Sequence, residues 1–319
     1  MKWLVLIAFA ALAGAWVSYL KRDRKGIVHT GILFGFLTFV VAPWHLIIAP
    51  FAIPVWAGYV KGWEVSLLDT LAVGLLLSRP GVGHKTPMLV PLVVYLLASL
   101  LSVPLAAFPT YAIAYPIQLL RVILIFVAVS RIASYPDGAK SVYVGLVLGL
   151  TFQAGLAIFA RLGGAIQTGG SFGHQNLLGF ATHMVLLPSF ALVMGKRWLK
   201  WSLLGTAAGA IIVILTASRA TIFIAALGIM ITYCVAAAAN WNQRKAVFGL
   251  VTVLLLGIAT PFAASSLERR FEAQGGNGSV FAEDLERTEF ENAAKMRSKC
   301  VQSAASWVLK PSPKFGANS

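Results

Sequence analysis

The chain has 319 residues, 58% of them hydrophobic and 12% charged, with a mean hydropathy of +0.80. No soluble domain buries that much apolar surface, so the bulk solvent is lipid. The net charge of +15 excludes less than its size suggests: residues 1–263 hold eighteen Lys and Arg against four Asp and Glu, and residues 264–319 hold eight against seven. The basic excess thus belongs to short loops between apolar runs, and no aromatic-plus-basic module that would stack nucleic-acid bases is present.

The N-terminal run MKWLVLIAFAALAGA reads either as a signal peptide, with Ala11-Leu12-Ala13 as a small-residue cleavage site, or as an uncleaved first span. Its continuation through Trp16 and Leu20 to the basic anchor KRDRK favours the span. Helical spans need about 20 apolar residues, and the candidates are 2–20, 27–49, 64–78, 87–104, 111–130, 141–160, 175–194, 200–217, 220–239 and 245–263. The expected fold is therefore an all-α polytopic membrane protein of about ten spans over residues 1–263. Segment 43–63 is either an eleventh span or an interfacial hairpin, and its three prolines, with tryptophans beside polar residues, favour the hairpin. Residues 264–319 form a polar, charge-balanced segment with GGNGS at 275–279 and an amphipathic stretch after it. No internal repeat is visible, and the two cysteines, Cys234 and Cys300, have neither disulfide nor metal spacing.

Loop charge orients the spans. Alternate loops carry Lys21, Arg22, Arg24 and Lys25; Arg79 and Lys85; Arg131 and Lys140; Lys196, Arg197 and Lys200; and Arg244 and Lys245. The opposite set carries only Lys2, Lys61, Arg161 and Arg219. The first set is cytoplasmic by the positive-inside rule, which puts the N-terminus and the C-terminal segment on the outer face.

That outer face gathers Arg161, Gln167, Ser171, His174, Gln175, Asn176, Ser218 and Arg219. Glycines at 163, 164, 169, 170 and 173 let backbone approach a ligand, and a helix beginning near Asn176 points its positive end the same way. Arginines beside a helix N-terminus suit phosphate or pyrophosphate. The plainer reading is an extracytoplasmic loop with a capping Asn and a snorkelling Arg. Arg121, inside an apolar span, is either a phosphate contact or the partner of Asp69, the obvious buried carboxylate. His174 and His183 read as structural, and Gly81-x-Gly83 reads as a loop. Arg269, Arg270 and Arg287 are either solvated charges or contacts for an anionic lipid-linked substrate.

GGSFGHQNLLGFATHMVLLP resembles the Gly-x-Phe-x-x-x-Asn-x-x-Gly pattern of O-antigen ligase and O-antigen polymerase-like membrane proteins. ILTASRATIFIA is similar to the Thr-x-Ser-Arg helix start that follows it there, and KGWEVSLLDTLAVGLLL to that family's Asp-containing early span. ERTEF and KPSPKFGAN look like the periplasmic Arg and the Pro-x-x-Gly turn of its large loop. The resemblance implies a bacterial inner-membrane enzyme, class C-like among membrane glycosyltransferases, that moves a glycan from undecaprenyl pyrophosphate to lipid A-core, a growing polysaccharide or a protein, without metal or other cofactor. It implies Arg219, Arg287 and Arg161 as pyrophosphate contacts, and Ser171, His174, Asn176 and Ser218 as residues shaping the donor pocket. The family continues to a loop histidine and further spans, whereas this sequence has no histidine after His183 and ends at Ser319. A truncated chain is the expectation, with a divergent member using another base as the alternative. The competing functions are a transporter or flippase lined by Arg121 and Asp69, and a non-catalytic scaffold in envelope polysaccharide assembly. The partners are the lipid-linked donor, a glycan acceptor and membrane lipids.

Overall fold

A computed structural model describes residues 2–239, apart from 24, 41–45, 53–61, 79–85, 87, 166 and 217, together with residue 249. The expected span at 245–263 (residue 249 apart) and the segment carrying Arg269, Arg270 and Arg287 lie outside the described residues. The chain divides at Ser266 into two units, and the first contains everything described below.

In chain order the elements are α1 (Lys2–Arg22), α2 (Lys25–Val40), β1 (Ile47–Ala52), β2 (Gly62–Ser66), α3 (Leu67–Ser78), α4 (Leu89–Ser102), α5 (Pro109–Ala112), α6 (Ala114–Ala133), α7 (Gly138–Leu162), α8 (Gln175–Met194), α9 (Leu199–Thr216) and α10 (Arg219–Ala239). Among the described residues, six helical stretches are long and apolar enough to cross a membrane: Trp3–Arg22, Pro109–Ala133, Gly138–Leu162, Gln175–Met194, Leu199–Thr216 and Arg219–Ala239. The protein is a mostly helical, multi-pass membrane protein. Apolar α4 has no buried residue, and most of α10 is likewise uncovered, as lipid-facing helices are.

Two expected spans need correction. Residues 46–49, assigned above to the span 27–49, and residues 64–66, assigned to 64–78, are not helical. They belong to an antiparallel hairpin in which Ile47 pairs with Ser66, Ile48 with Val65, Phe51 with Trp63 and Ala52 with Gly62. Between those pairs Ala49 and Pro50 together oppose Glu64, a bulge placed where proline has no N–H to give the ladder. So 43–63 is no eleventh helix over its described residues. A two-stranded ribbon leaves edge N–H and C=O groups that hydrocarbon cannot satisfy, which puts it at the lipid–water boundary or against protein. One edge carbonyl, that of Gly62, accepts from Gln118 Nε2 at 3.2 Å.

The core combines large buried side chains, among them Phe39, Leu75 and Leu150, with close helix contacts. Along α2 and α7, Gly31 meets Ser141, Gly35 meets Gly145 and Phe39 lies over Gly149. The offset between partners is constant, so the two helices run parallel. Gly31 and Gly35 are four apart, as are Gly145 and Gly149, and a methyl on Gly145 would overlap the Ile32 carbonyl. In lipid, apolar burial does not drive helices together, and such small-residue ridges supply the attraction through backbone contact. Ser189 against Gly205 and Leu186 against Gly209 make α8 and α9 antiparallel. Asn176 with Ser218, Gly179 with Thr221 and Leu187 with Gly228 make α8 and α10 parallel.

Gly145→Val forces α2 and α7 apart and destabilises the protein by about 1–3 kcal/mol, the range for overpacking. Gly155→Val on the same helix, where an added Cβ meets nothing within 4 Å, leaves thermal melting in detergent unchanged. Equal melting of the two variants would refute backbone contact as the source of this packing.

Candidate functional site

The N-terminal ends of α8 and α10 meet through one side-chain bond. Ser218 precedes α10, where its Oγ accepts from the Thr221 N–H at 3.4 Å and its carbonyl from the Ile222 N–H at 3.0 Å. That is the N-cap geometry expected of serine. The Ser218 hydroxyl donates its own proton to Asn176 Oδ1 at 2.9 Å. With Oδ1 facing Ser218, the Asn176 amide turns its Nδ2 donors away from it. Arg219, the first residue of α10, is exposed beside this pair.

The helix cap differs from the capping Asn expected above. His174 occupies the cap of α8, in extended conformation, with Nδ1 accepting from the Asn176 N–H at 3.1 Å. An imidazole nitrogen in that place leaves Asn176, one residue into the first turn, able to reach across to α10. Lower down, buried His183 donates from Nε2 to the Thr221 carbonyl at 3.0 Å, which fixes its tautomer and ties the two helices again. A side chain on Gly179 would collide with Thr221, so this contact is also backbone-close.

The loop between α7 and α8 is anchored from below. Arg161, in the last turn of α7, donates from Nη1 to the Ala165 carbonyl at 3.1 Å and so closes the turn leaving that helix. Ser171 donates to the Phe39 carbonyl at 3.4 Å, and its N–H reaches Gln153 Oε1 at 3.0 Å. Ser171 therefore holds the loop, while Asn176, Ser218 and Arg219 form the junction itself.

A second polar cluster surrounds Arg121. The sequence Ser66-Leu67-Leu68-Asp69 forms a capping box at the start of α3: Asp69 Oδ2 accepts from the Ser66 N–H at 2.6 Å, and Ser66 Oγ accepts from the Asp69 N–H at 3.4 Å. Arg121 of α6 lands on the same oxygen, with Nε at 2.9 Å and Nη2 at 2.8 Å. Nη2 also reaches Ser66 Oγ at 3.2 Å, while Nη1 donates to Gln118 Oε1 and faces Glu64 Oε2 at 3.6 Å. Every guanidinium nitrogen thus faces an acceptor, and two carboxylates share one cation. Such a cluster neither offers donors to a phosphate nor attracts one. Asp69 Oδ1 is buried without a hydrogen-bond partner, because all donors converge on Oδ2.

No family model, curated protein or solved structure matches the chain. Among the described residues no three His, Cys, Asp or Glu side chains gather as a metal site would require. Arg287 lies outside the described residues. Gln153, Ser66, Gln118, Glu64 and Thr221 hold the two clusters together and were not singled out from sequence. The Ser-x-x-Asp spacing at 66–69 and a lone amide within an apolar helix at 153 were the available signals.

The side chains of Arg121 and Asp69 are 18% and 8% exposed, so breaking their pair leaves a buried charge, at a cost of about 3–5 kcal/mol for Arg121→Met or Asp69→Leu alone. The double variant Arg121→Met/Asp69→Leu recovers most of that loss in chemical denaturation. A double variant as unstable as the sum of the singles would refute the pairing.

Proposed function

We propose that the protein transfers a glycan from undecaprenyl pyrophosphate to an acceptor at the periplasmic face of the bacterial inner membrane, the acceptor being lipid A-core, a growing polysaccharide or a protein. The observation that carries this reading is the Ser218–Asn176 hydrogen bond. It joins the two motifs in which the resemblance to O-antigen ligase-like proteins is strongest, and brings two helix N-termini to one point. The groups this reading assigns to the departing pyrophosphate are Asn176 Nδ2 and the exposed Arg219 guanidinium, beside the positive ends of two helices. In the transfer, an acceptor oxygen bonds to the anomeric carbon as the bond from that carbon to phosphate breaks. The pyrophosphate departs with the bonding electrons, and the acceptor loses its proton to water at this exposed face. Preorganised donors stabilise the charge that develops on the departing group.

The expected ten crossings and their orientation also belong to this reading. Parallel α2 and α7 require an odd number of crossings between them, met either by α6 alone or by α3, α4 and α6 together. Basic Arg79 and Lys85 between α3 and α4 favour three, with that turn on the cytoplasmic side. A span at 245–263 makes the tenth. On this count the outer ends of α7, α8 and α10 share one face, the periplasmic one. Transport through Arg121 and Asp69 is less favoured, since a pathway charge must exchange partners and Arg121 is engaged at all three nitrogens.

Arg219→Ala abolishes glycan transfer in a complemented deletion strain, a loss of about 100-fold or more, with normal protein level in the membrane. Unchanged glycan ladders on a gel would sink the proposal. Asn176→Asp separates stability from chemistry. It keeps the acceptor for Ser218 and places an anion at a helix N-terminus, which preserves or raises thermal stability. It also replaces the Nδ2 donors with negative charge, and transfer falls by at least about tenfold.

A further inference from the structure

Gln153 lies within α7, one of the apolar crossing helices, and its side chain is fully buried at 0% exposure. An amide in such surroundings must satisfy both its ends internally. Its Nε2 donates to the Phe39 carbonyl at 2.8 Å and to Ser171 Oγ, while its Oε1 accepts from the Ser171 N–H at 3.0 Å. Phe39 is in the last turn of α2, and the residue four further on, which would normally donate to its carbonyl, is Pro43, without an N–H. One carboxamide therefore fills the orphan acceptor at the end of α2 and grips the backbone of the glycine-rich loop. Gly170 has φ +53 and packs so closely that a side chain there would collide with Gln153 Oε1. The loop is seated directly on the amide.

Three residues beyond Ser171, His174 caps α8, and two residues later Asn176 bonds Ser218. We infer that Gln153 is a positioning residue for the donor site: by gripping Ser171 it sets where the loop delivers the start of α8, and hence Asn176, next to Arg219. The inference rests on the pyrophosphate-binding reading above. Its chemical requirement is narrow, because the position needs an acceptor and a donor at once. Leucine supplies neither. Glutamate supplies both only when protonated, as its O–H can then give to the Phe39 carbonyl. Ionised, it sets a second acceptor against that carbonyl. The groups meeting this side chain are a backbone carbonyl, a backbone N–H and a hydroxyl, with Leu178 against the same glycine, and none of these titrates.

The test is equilibrium binding of inorganic pyrophosphate to the full chain in lipid nanodiscs, each variant expressed as a ratio to wild type at the same pH. Gln153→Leu binds at least about tenfold more weakly at about pH 5.5 and about pH 9.5, as lost seating of a donor site implies. Gln153→Glu matches wild type at about pH 5.5, where the buried acid is protonated, and weakens about tenfold by about pH 9.5, above the range of about 8–9 to which burial raises such an acid. That pH-dependent ratio is what general damage does not produce, and it carries the test if Gln153→Leu fails to fold. A Gln153→Glu ratio that is constant with pH, whether near one or uniformly low, overturns the positioning role. If wild type and Arg219→Ala differ while Gln153→Leu binds like wild type, the positioning role alone falls. If wild type itself binds no pyrophosphate, the donor-site reading falls and takes this inference with it.

Discussion

The parallel contact of α2 with α7 governs the geometry where the N-termini of α8 and α10 meet. Lipid gives no reward for hiding apolar side chains, so two helices associate there only if they touch closely along their length. Gly31, Gly35, Gly145 and Gly149 remove the side chains that would hold the backbones apart. The helices differ in length, α2 ending at Val40 and α7 continuing to Leu162. Close parallel packing therefore leaves the last carbonyls of α2 beside the middle of α7. The Phe39 carbonyl, deprived of its helical donor by Pro43, meets Gln153 there. From that point polar contacts run through Ser171 and His174 to Asn176 and Ser218. A change of register between α2 and α7 would break the first of them.

Legibility from sequence followed the physics of each feature. The span 175–194 has the observed limits of α8, because a glycine-rich polar stretch precedes it and Gly195 ends it. The runs 27–49 and 64–78 were misread at the ends that meet the hairpin, because apolar content does not separate a strand from a helix. The isoleucines at 47 and 48 carried a strand signal, and Pro50 a signal against helix, that a count of apolar residues ignores. Pairing of Arg121 with Asp69 was one of two readings open from sequence, since a charge in an apolar span needs a counter-charge. Gln118 and Glu64 gave no such signal, for polar residues near span ends look solvated until the fold directs them inward. Where α8 and α10 meet the residues were visible, and the plainer of the two readings put an Asn at the cap that His174 occupies. Only the crossing from Asn176 to Ser218 explains why the asparagine is not the cap, and that crossing depends on tertiary packing.

The two arginines show opposite electrostatic designs. Arg121 faces two carboxylates, a hydroxyl and an amide oxygen, so its charge is more than compensated and its side chain is held from several directions. It joins α6 to the β2–α3 corner, and a phosphate arriving there would meet an excess of negative charge. Arg219 opens α10, where the helix dipole already presents positive charge, and a cation at that end disfavours the helix by some tenths of a kcal/mol. Ser218 offsets part of this by capping the helix, yet it sends its hydroxyl proton to Asn176 rather than outward. The arrangement places an exposed cation beside two helix N-termini. On the proposed reading, an anion with several acceptor oxygens, such as a lipid-borne pyrophosphate, meets that cation at the N-terminal ends of α8 and α10.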